Sequence, residues 1–359
     1  MLDSFSSLQL SLAAIGALTV AAVLVYNHWT SRKNEPRQAD PHREPVSLNI
    51  EPVLDGDLSA VNGNMPTSAQ EPVLQQGFAH LSQPERKTQL DALIDVIALI
   101  ELDHVVSGDA AMAAMPSTRR VGTKLFSVQG CAQDTGLWEA VAPSRRYTAF
   151  QAGVQLANRV GALNNIEFSE FVVKTQAFAD AVGGTPSFSD MIEEVARARE
   201  LDQFANAHDA QLSFTLCART AAWSPGYIQQ HAARLGFVPG AIAGRMVLPS
   251  AVHGLPALLA LTFDTHAALA DDPALTAIRS VVLSLDVPQT ARDEQPYVRL
   301  RDASRQLATQ MDGLVTDGQG QVLSEAAQDQ IGLDLQQLYA ALEARELPAG
   351  SPQARRLFS

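Results

Sequence analysis

Residues 211–219, QLSFTLCAR, alternate strictly: Leu212, Phe214 and Leu216 fall on one side, and Gln211, Ser213, Thr215 and Cys217 on the other. A period of two predicts a strand with one buried and one open face. Working outward, residues 225–235 behind Ser224 read as a short capped helix, and residues 236–248, 257–264 and 280–287 read as further strands. Residues 296–311 read as a helix that stops at Asp312-Gly313, and residues 315–323 cross a turn at Asp317-Gly318. Ser324 then caps a last helix with Ala327, Ile331, Leu335, Leu338 and Leu342 along one stripe.

The same order stands upstream. Residues 92–102, 123–132 and 147–158 are strand candidates. Residues 166–182 place Phe168, Phe171, Val172, Thr175, Phe178, Ala179 and Val182 on one helical stripe, which Gly183-Gly184 terminates, and residues 189–208 supply a second, charged helix. The predicted class is therefore α+β. It comprises two related modules in tandem, residues 89–209 and 210–347, each an antiparallel sheet with helices packed on one face.

The N-terminal region differs in kind. Residues 8–26, LQLSLAAIGALTVAAVLVY, carry no charge. At about 1.5 Å per residue they extend roughly 28 Å, long enough to span a bilayer core as one helix. Leu8, Leu12, Ile15, Leu18, Val20, Val23 and Leu24 would face lipid, with Tyr26 and Trp29 at the headgroups. Arg32, Lys33 and Arg37 follow the run, whereas residues 1–7 hold only Asp3, so the N-terminus is expected outside and the rest in the cytoplasm. A cleaved signal would call for a basic segment ahead of a shorter run. Residues 27–88, rich in Pro, Glu, Asp, Gln and Asn, are expected to be a disordered linker. A phrase recurs there, Glu44-Pro45-Val46, Glu51-Pro52-Val53-Leu54 and Glu71-Pro72-Val73-Leu74. Residues 348–359, with Pro348, Gly350 and Pro352, are expected to be a flexible tail; docking of Leu357 and Phe358, with Arg355 and Arg356 facing acidic groups, is the alternative.

Composition excludes several function classes. A net charge of −13 with no basic stripe beyond the membrane-proximal cluster argues against nucleic acid as a partner. Cys131 and Cys217 make no disulfide framework and are expected to be buried reduced thiols. The chain lacks a phosphate-binding loop, a nucleophile elbow, an H-E-x-x-H and a C-x-x-C, and none of its histidines forms an i,i+4 pair. Asp271-Asp272 and Glu193-Glu194 read as capping and solvated carboxylates. No catalytic residue, metal, cofactor or small-molecule substrate is predicted.

Residues 211–345 resemble the cytoplasmic domain of the ZipA family of bacterial cell-division proteins. The carrying stretches are AQLSFTLCA, YIQQHAARLGFVPGAI, PALLALTFD, SVVLSLDVP, LRDASRQLATQMDG, VTDGQGQ and LSEAAQDQI. One N-terminal span, a linker and a C-terminal α+β domain match the family plan. The resemblance implies a membrane-anchored adaptor at the division site of the inner membrane, whose last sheet binds the C-terminal tail of FtsZ on its open face. Alternation then assigns that face. With Leu259, Leu261 and Phe263 inward, Leu258, Ala260, Thr262 and Asp264 point outward; with Val281, Leu283, Leu285 and Val287 inward, Val282, Ser284 and Asp286 point outward. Residues 241–247 would add Ile242, Gly244 and Met246. The family implies a more apolar groove than Ser284, Asp264 and Gly244 provide. A membrane-anchored scaffold with a different cytoplasmic partner is the alternative reading.

Overall fold

The computed structural model describes residues 36–39, 90–270, 272 and 275–359. The run at 8–26 and residues 1–7 lie outside them, as does most of 27–88; among the described residues no helix is long and apolar enough to cross a membrane.

The first half contains β1 (Asp95–Ser107), α1 (Gly108–Ala114), β2 (Arg120–Val121), β3 (Lys124–Ala132), β4 (Trp138–Ala140) and β5 (Arg146–Gln155). A small hairpin of β6 (Ala157–Asn158) and β7 (Gly161–Ala162) leads to α2 (Asn165–Val182), β8 (Gly184–Ser187) and α3 (Met191–His208). The second half has β9 (Gln211–Ala218), α4 (Pro225–Arg234), β10 (Val238–Pro239), β11 (Arg245–Leu248), β12 (Leu259–Thr262), α5 (Thr265–Ala268) and β13 (Ser280–Asp286). After a single 3-10 turn come α6 (Pro296–Met311), β14 (Gly313–Thr316), α7 (Glu325–Ala344) and α8 (Pro352–Leu357).

The two sheets are wired alike. In the first, β1 lies between β5 and β8 and pairs antiparallel with both. In the second, β9 lies between β13 and β14 and likewise pairs antiparallel with both. Each half therefore runs opening strand, helix, meander, long helix, edge strand and helix. The edge strands β8 and β14 each follow a helix directly, which brings the chain back across the sheet with almost no loop.

Local chemistry sets these boundaries. Asn164 accepts from the N–H groups of Ile166 and Glu167 while the Glu167 carboxylate accepts from the Asn164 N–H, a complete capping box for α2. Gly183, at φ 67°, ends α2 in the left-handed conformation that costs a residue without Cβ least. Asp190 caps α3, Ser224 caps α4 and Ser324 caps α7 through side-chain oxygens. The stripe expected on α2 is buried at Phe168, Phe171, Thr175, Phe178, Ala179 and Val182. On α7, Leu335 and Leu342 are buried but Ala327 is exposed, and Tyr339 takes a place in the stripe.

Two hydrophobic cores result, and their membership departs from the chain order. The second core holds Phe214, Leu216, Trp223, Leu261, Val281, Leu283, Leu285, Leu300 and Leu307, with Leu335 and Tyr339 of α7. The first core gathers Val96, Ile100, Phe126, Phe150, Phe171 and Phe178, and also Leu342, Leu347, Ala354, Leu357 and Phe358 from the far end of the chain. Residues 348–359 are thus no flexible tail: α8 closes the first core, with Leu357 and Phe358 fully buried. Arg356 reaches Asp95 through two hydrogen bonds of 2.9 and 2.5 Å, and Asp95 is wholly buried. The backbone follows the same path, since Gln155 Nε2 donates to the Arg356 carbonyl and Gln289 Nε2 to that of Phe358.

A second correction concerns the linker. Residues 36–39 lie against the second module: the Arg37 N–H donates to the Ala222 carbonyl, the Ser224 N–H donates to the Arg37 carbonyl, and the Arg37 guanidinium meets Asp312 at 3.0 Å. Cys131 and Cys217 are free and only half-buried, because both sit on the outward faces of their strands.

Candidate functional site

The face on which the sequence reading converges is the outward side of the second sheet. β12 pairs with β13 so that Ala260 opposes Ser284, Leu261 opposes Leu283 and Thr262 opposes Val282. β13 then pairs with β9, with Val282 against Thr215 and Ser284 against Ser213. Since side chains alternate, one register fixes both faces. Leu261, Leu283, Leu285, Phe214 and Leu216 enter the core, while Ala260, Thr262, Val282 and Ser284 stay half-buried and join neither hydrophobic cluster.

On β11 the alternation runs opposite to expectation. Met246 opposes Leu261 and is buried beneath the helices, so Arg245 and Val247 face outward, opposite Thr262 and Ala260. The reason is local. Residues 236–248 do not form one strand but a pair, β10 and β11, joined by a turn in which Gly244 adopts φ 76°. A Cβ there would come within 2.7 Å of the Phe263 carbonyl, so the turn depends on glycine, and strand counting must restart after it. Ile242 lies in that turn, exposed, and Gly244 is buried, so neither belongs to the face. Leu258 precedes β12 and is buried in the core; its N–H donates to the Leu248 carbonyl. Asp264 is exposed and caps α5 by accepting from the His266 N–H.

Of the assigned residues, the structure therefore brings Ala260, Thr262, Val282 and Ser284 together on one face and removes Ile242, Gly244, Met246, Leu258 and Asp264 from it. Ser213, Thr215, Arg245 and Val247 join instead. Ser213 and Thr215 follow from the alternation of residues 211–217, whereas Arg245 and Val247 become legible in the sequence only once the Gly244 turn is recognised. The face is shallow, built of small and hydroxylated side chains with Val247 and Val282 as its apolar elements. Ser213, Thr215, Thr262 and Ser284 offer hydroxyls to the main chain of an extended segment.

The main charge cluster of the molecule stands at one end of this face, where Asp286 follows Ser284 by two residues on β13 and so points to the same side. Arg159, in the turn between β6 and β7, donates to both carboxylate oxygens of Asp209 at 2.9 and 2.6 Å and to both of Asp286 at 2.7 and 2.8 Å. Burial alone would pull its pKa down, but the two carboxylates more than offset that and hold it above the ordinary arginine value. This cluster ties the first module to the strand end of the second. Burial pushes the Asp95 carboxyl upward, and the Arg356 guanidinium and the Asp91 N–H, which donate to it, pull the other way. Burial lowers the pKa of His231 on α4, whose Nδ1 lies 3.1 Å from Gln310 Oε1. Among the described residues no group of three or more His, Cys, Asp or Glu side chains is placed to hold a metal ion.

No protein-family model matches the chain, and no curated protein matches it either.

Proposed function

We propose that this chain is a non-enzymatic, membrane-tethered cell-division adaptor of the bacterial inner membrane that binds the C-terminal tail of FtsZ and so links the division ring to the membrane. In this reading residues 8–26 form the lipid anchor, with the N-terminus outside and the two modules in the cytoplasm. The observation that carries it is the second sheet, whose one face packs under helices while Ala260, Thr262, Val282 and Ser284 stay half-buried outside the core. A sheet with one open face of small side chains is suited to a short peptide that orders on binding and recovers the lost entropy from a few contacts. Burial of Met246 and Leu258 removes two apolar anchors from the face and favours, as a second reading, a scaffold whose cytoplasmic partner is a different protein.

The test is fluorescence anisotropy of a labelled synthetic FtsZ C-terminal peptide with the purified protein. Affinity in the micromolar range is expected, about −8 kcal/mol. Val282→Asp should weaken it at least tenfold with an unchanged circular dichroism spectrum. Leu283→Asp, one residue on and fully buried, should unfold the module instead. Equal binding by wild type and Val282→Asp would remove this face as the site, and absence of binding would remove FtsZ as the partner.

A further inference from the structure

Pro36, Arg37, Gln38 and Ala39 are held on the second module by main chain and side chain together. Arg37 pairs in parallel with Trp223, which pairs antiparallel with Ile278 on its other side, so the segment adds a third strand to a short ladder. The Arg37 N–H donates to the Ala222 carbonyl at 2.7 Å, and the Arg37 carbonyl accepts from the Ser224 N–H at 2.9 Å. Pro36 is buried. The guanidinium is received by the C-terminal end of α6, where the helix dipole favours a cation. Its Nη1 donates to the Met311 carbonyl, which also accepts from Trp223 Nε1, and its Nη2 donates to Asp312. The Thr220 hydroxyl, donating at 2.6 Å, and then Arg37 and Arg219 hold the Asp312 carboxyl below its ordinary value and keep it charged. Main-chain pairing, a buried proline and a charge-assisted bond to a helix end together make a built slot for this segment.

The slot lies at one end of the second sheet. Ile278 precedes β13 by two residues, whereas Asp286, the last residue of β13, meets Arg159 of the first module. The segment and the first module therefore grip opposite ends of the same strand. Chain length adds a limit. Arg37 stands eleven residues after Tyr26, so at about 3.6 Å per residue it lies within about 40 Å of the end of the apolar run. Leu90, where the first module starts, stands 64 residues after Tyr26, and the same arithmetic lets it stand as far as about 230 Å away.

We infer that residues 36–39 are a strap that fixes the second module beside the membrane and makes it the proximal unit, with the first module distal, the reverse of their order in the sequence. The inference rests on residues 8–26 being the lipid anchor. Without the strap, the first module would be the first folded unit after that anchor. With it, the sheet proposed to receive the FtsZ tail is presented at a limited height above the bilayer, and residues 40–89 give the chain the length to reach Leu90.

Two measurements on the full chain, with Cys131 and Cys217 replaced by serine, test the strap and the placement separately. A Cβ on Gly226 would stand 3.7 Å from that of Ala39, the separation a disulfide needs. Ala39→Cys with Gly226→Cys should therefore cross-link in detergent micelles under mild oxidation, read by peptide mapping. Arg37→Glu should slow the reaction at least tenfold, while Arg37→Lys should retain most of the rate. No cross-link, or an equal rate with Arg37→Glu, would overturn the strap. Placement is read by energy transfer to acceptor lipids in vesicles, from a donor at Ala277→Cys, exposed beside the slot, or at Gln133→Cys, exposed in the first module. Transfer from position 277 should be at least twofold the greater, and Arg37→Glu should erase the difference. Equal or reversed transfer in a chain that floats with the vesicles would overturn the stacking order. A chain that cross-links but does not float would overturn the anchor, and the membrane placement with it, and leave the strap as a clamp within the protein.

Discussion

The two modules share their wiring but not their means of closing a core. The second draws its buried apolar residues from its own stretch, among the described residues: β9 to β14 with α4, α6 and the middle of α7 bury Trp223, Leu283 and Leu300, while Arg37 adds hydrogen bonds from upstream. The first cannot close from its own residues. It borrows Leu342, Leu347, Ala354, Leu357 and Phe358, which follow the whole second module in the chain. Duplicated topology thus does not confer duplicated independence, because a strand order is set by local pairing whereas a core needs its last apolar residues from wherever the chain supplies them.

Truncation after Leu347 should break this contrast most severely. It removes three fully buried apolar side chains and strands Asp95 without its arginine, a combined cost of about 5 kcal/mol or more. Denaturant unfolding followed by circular dichroism should then show the first module melting early and the second near its original midpoint. A single unshifted transition would mean that α8 adds nothing to the first core.

Arg356→Leu isolates the electrostatic part of that closure. The side chain is 10% exposed and its partner Asp95 is 0% exposed, so removing one partner leaves a buried uncompensated charge at a cost of about 3–5 kcal/mol. The double variant Arg356→Leu with Asp95→Leu should recover most of that loss, since an apolar pair can replace a buried ion pair. No recovery in a double-mutant cycle would show that the helix is held by packing alone.

Arg159→Ala tests how far the modules depend on each other. Its guanidinium joins Asp209 and Asp286, but the three side chains retain 26%, 23% and 33% of their exposure, so the expected loss is about 1 kcal/mol and should shrink in high salt. The readout is the gap between the two unfolding midpoints, which should widen. An unchanged gap would place the coupling in α7, which contributes to both cores.

The smallest effect distinguishes the modules by pH. Burial, with Arg234 and Arg37 nearby, lowers the His231 pKa below its ordinary 6.5, so the unfolded chain takes up that proton first. Stability of the second module is therefore full above about pH 6.5 and declines as pH falls through that value toward the lowered folded one. The second midpoint should drop between pH 7.5 and 5.5, and His231→Gln should abolish the drop. A slope that survives the substitution would assign it to another group.

Much of this fold can be read from residues alone, because each strand and helix is a local decision. Alternation at Gln211 to Cys217 and at Val281 to Asp286 fixed both faces correctly, and Ser224, Gly183 and Ser324 marked element ends that the structure keeps. The candidate face was half legible for the same reason. Ala260, Thr262, Val282 and Ser284 sit on strands that run unbroken, whereas Met246 and Leu258 were assigned by extending a period across a turn and past a strand end. One residue of slip reverses a face, and the left-handed glycine at 244 supplies that slip.

By itself, then, the sequence determined the α+β class, the repeated order of elements, and the inward faces of β9, β12 and β13. Only the tertiary structure decided that residues 348–359 complete the first core, that Arg356 meets Asp95 across 261 positions, and that Arg37 lies on the second module. The division has a physical cause: periodicity and capping act over a few residues, whereas burial and ion pairing depend on which distant segments the fold brings within a few ångströms.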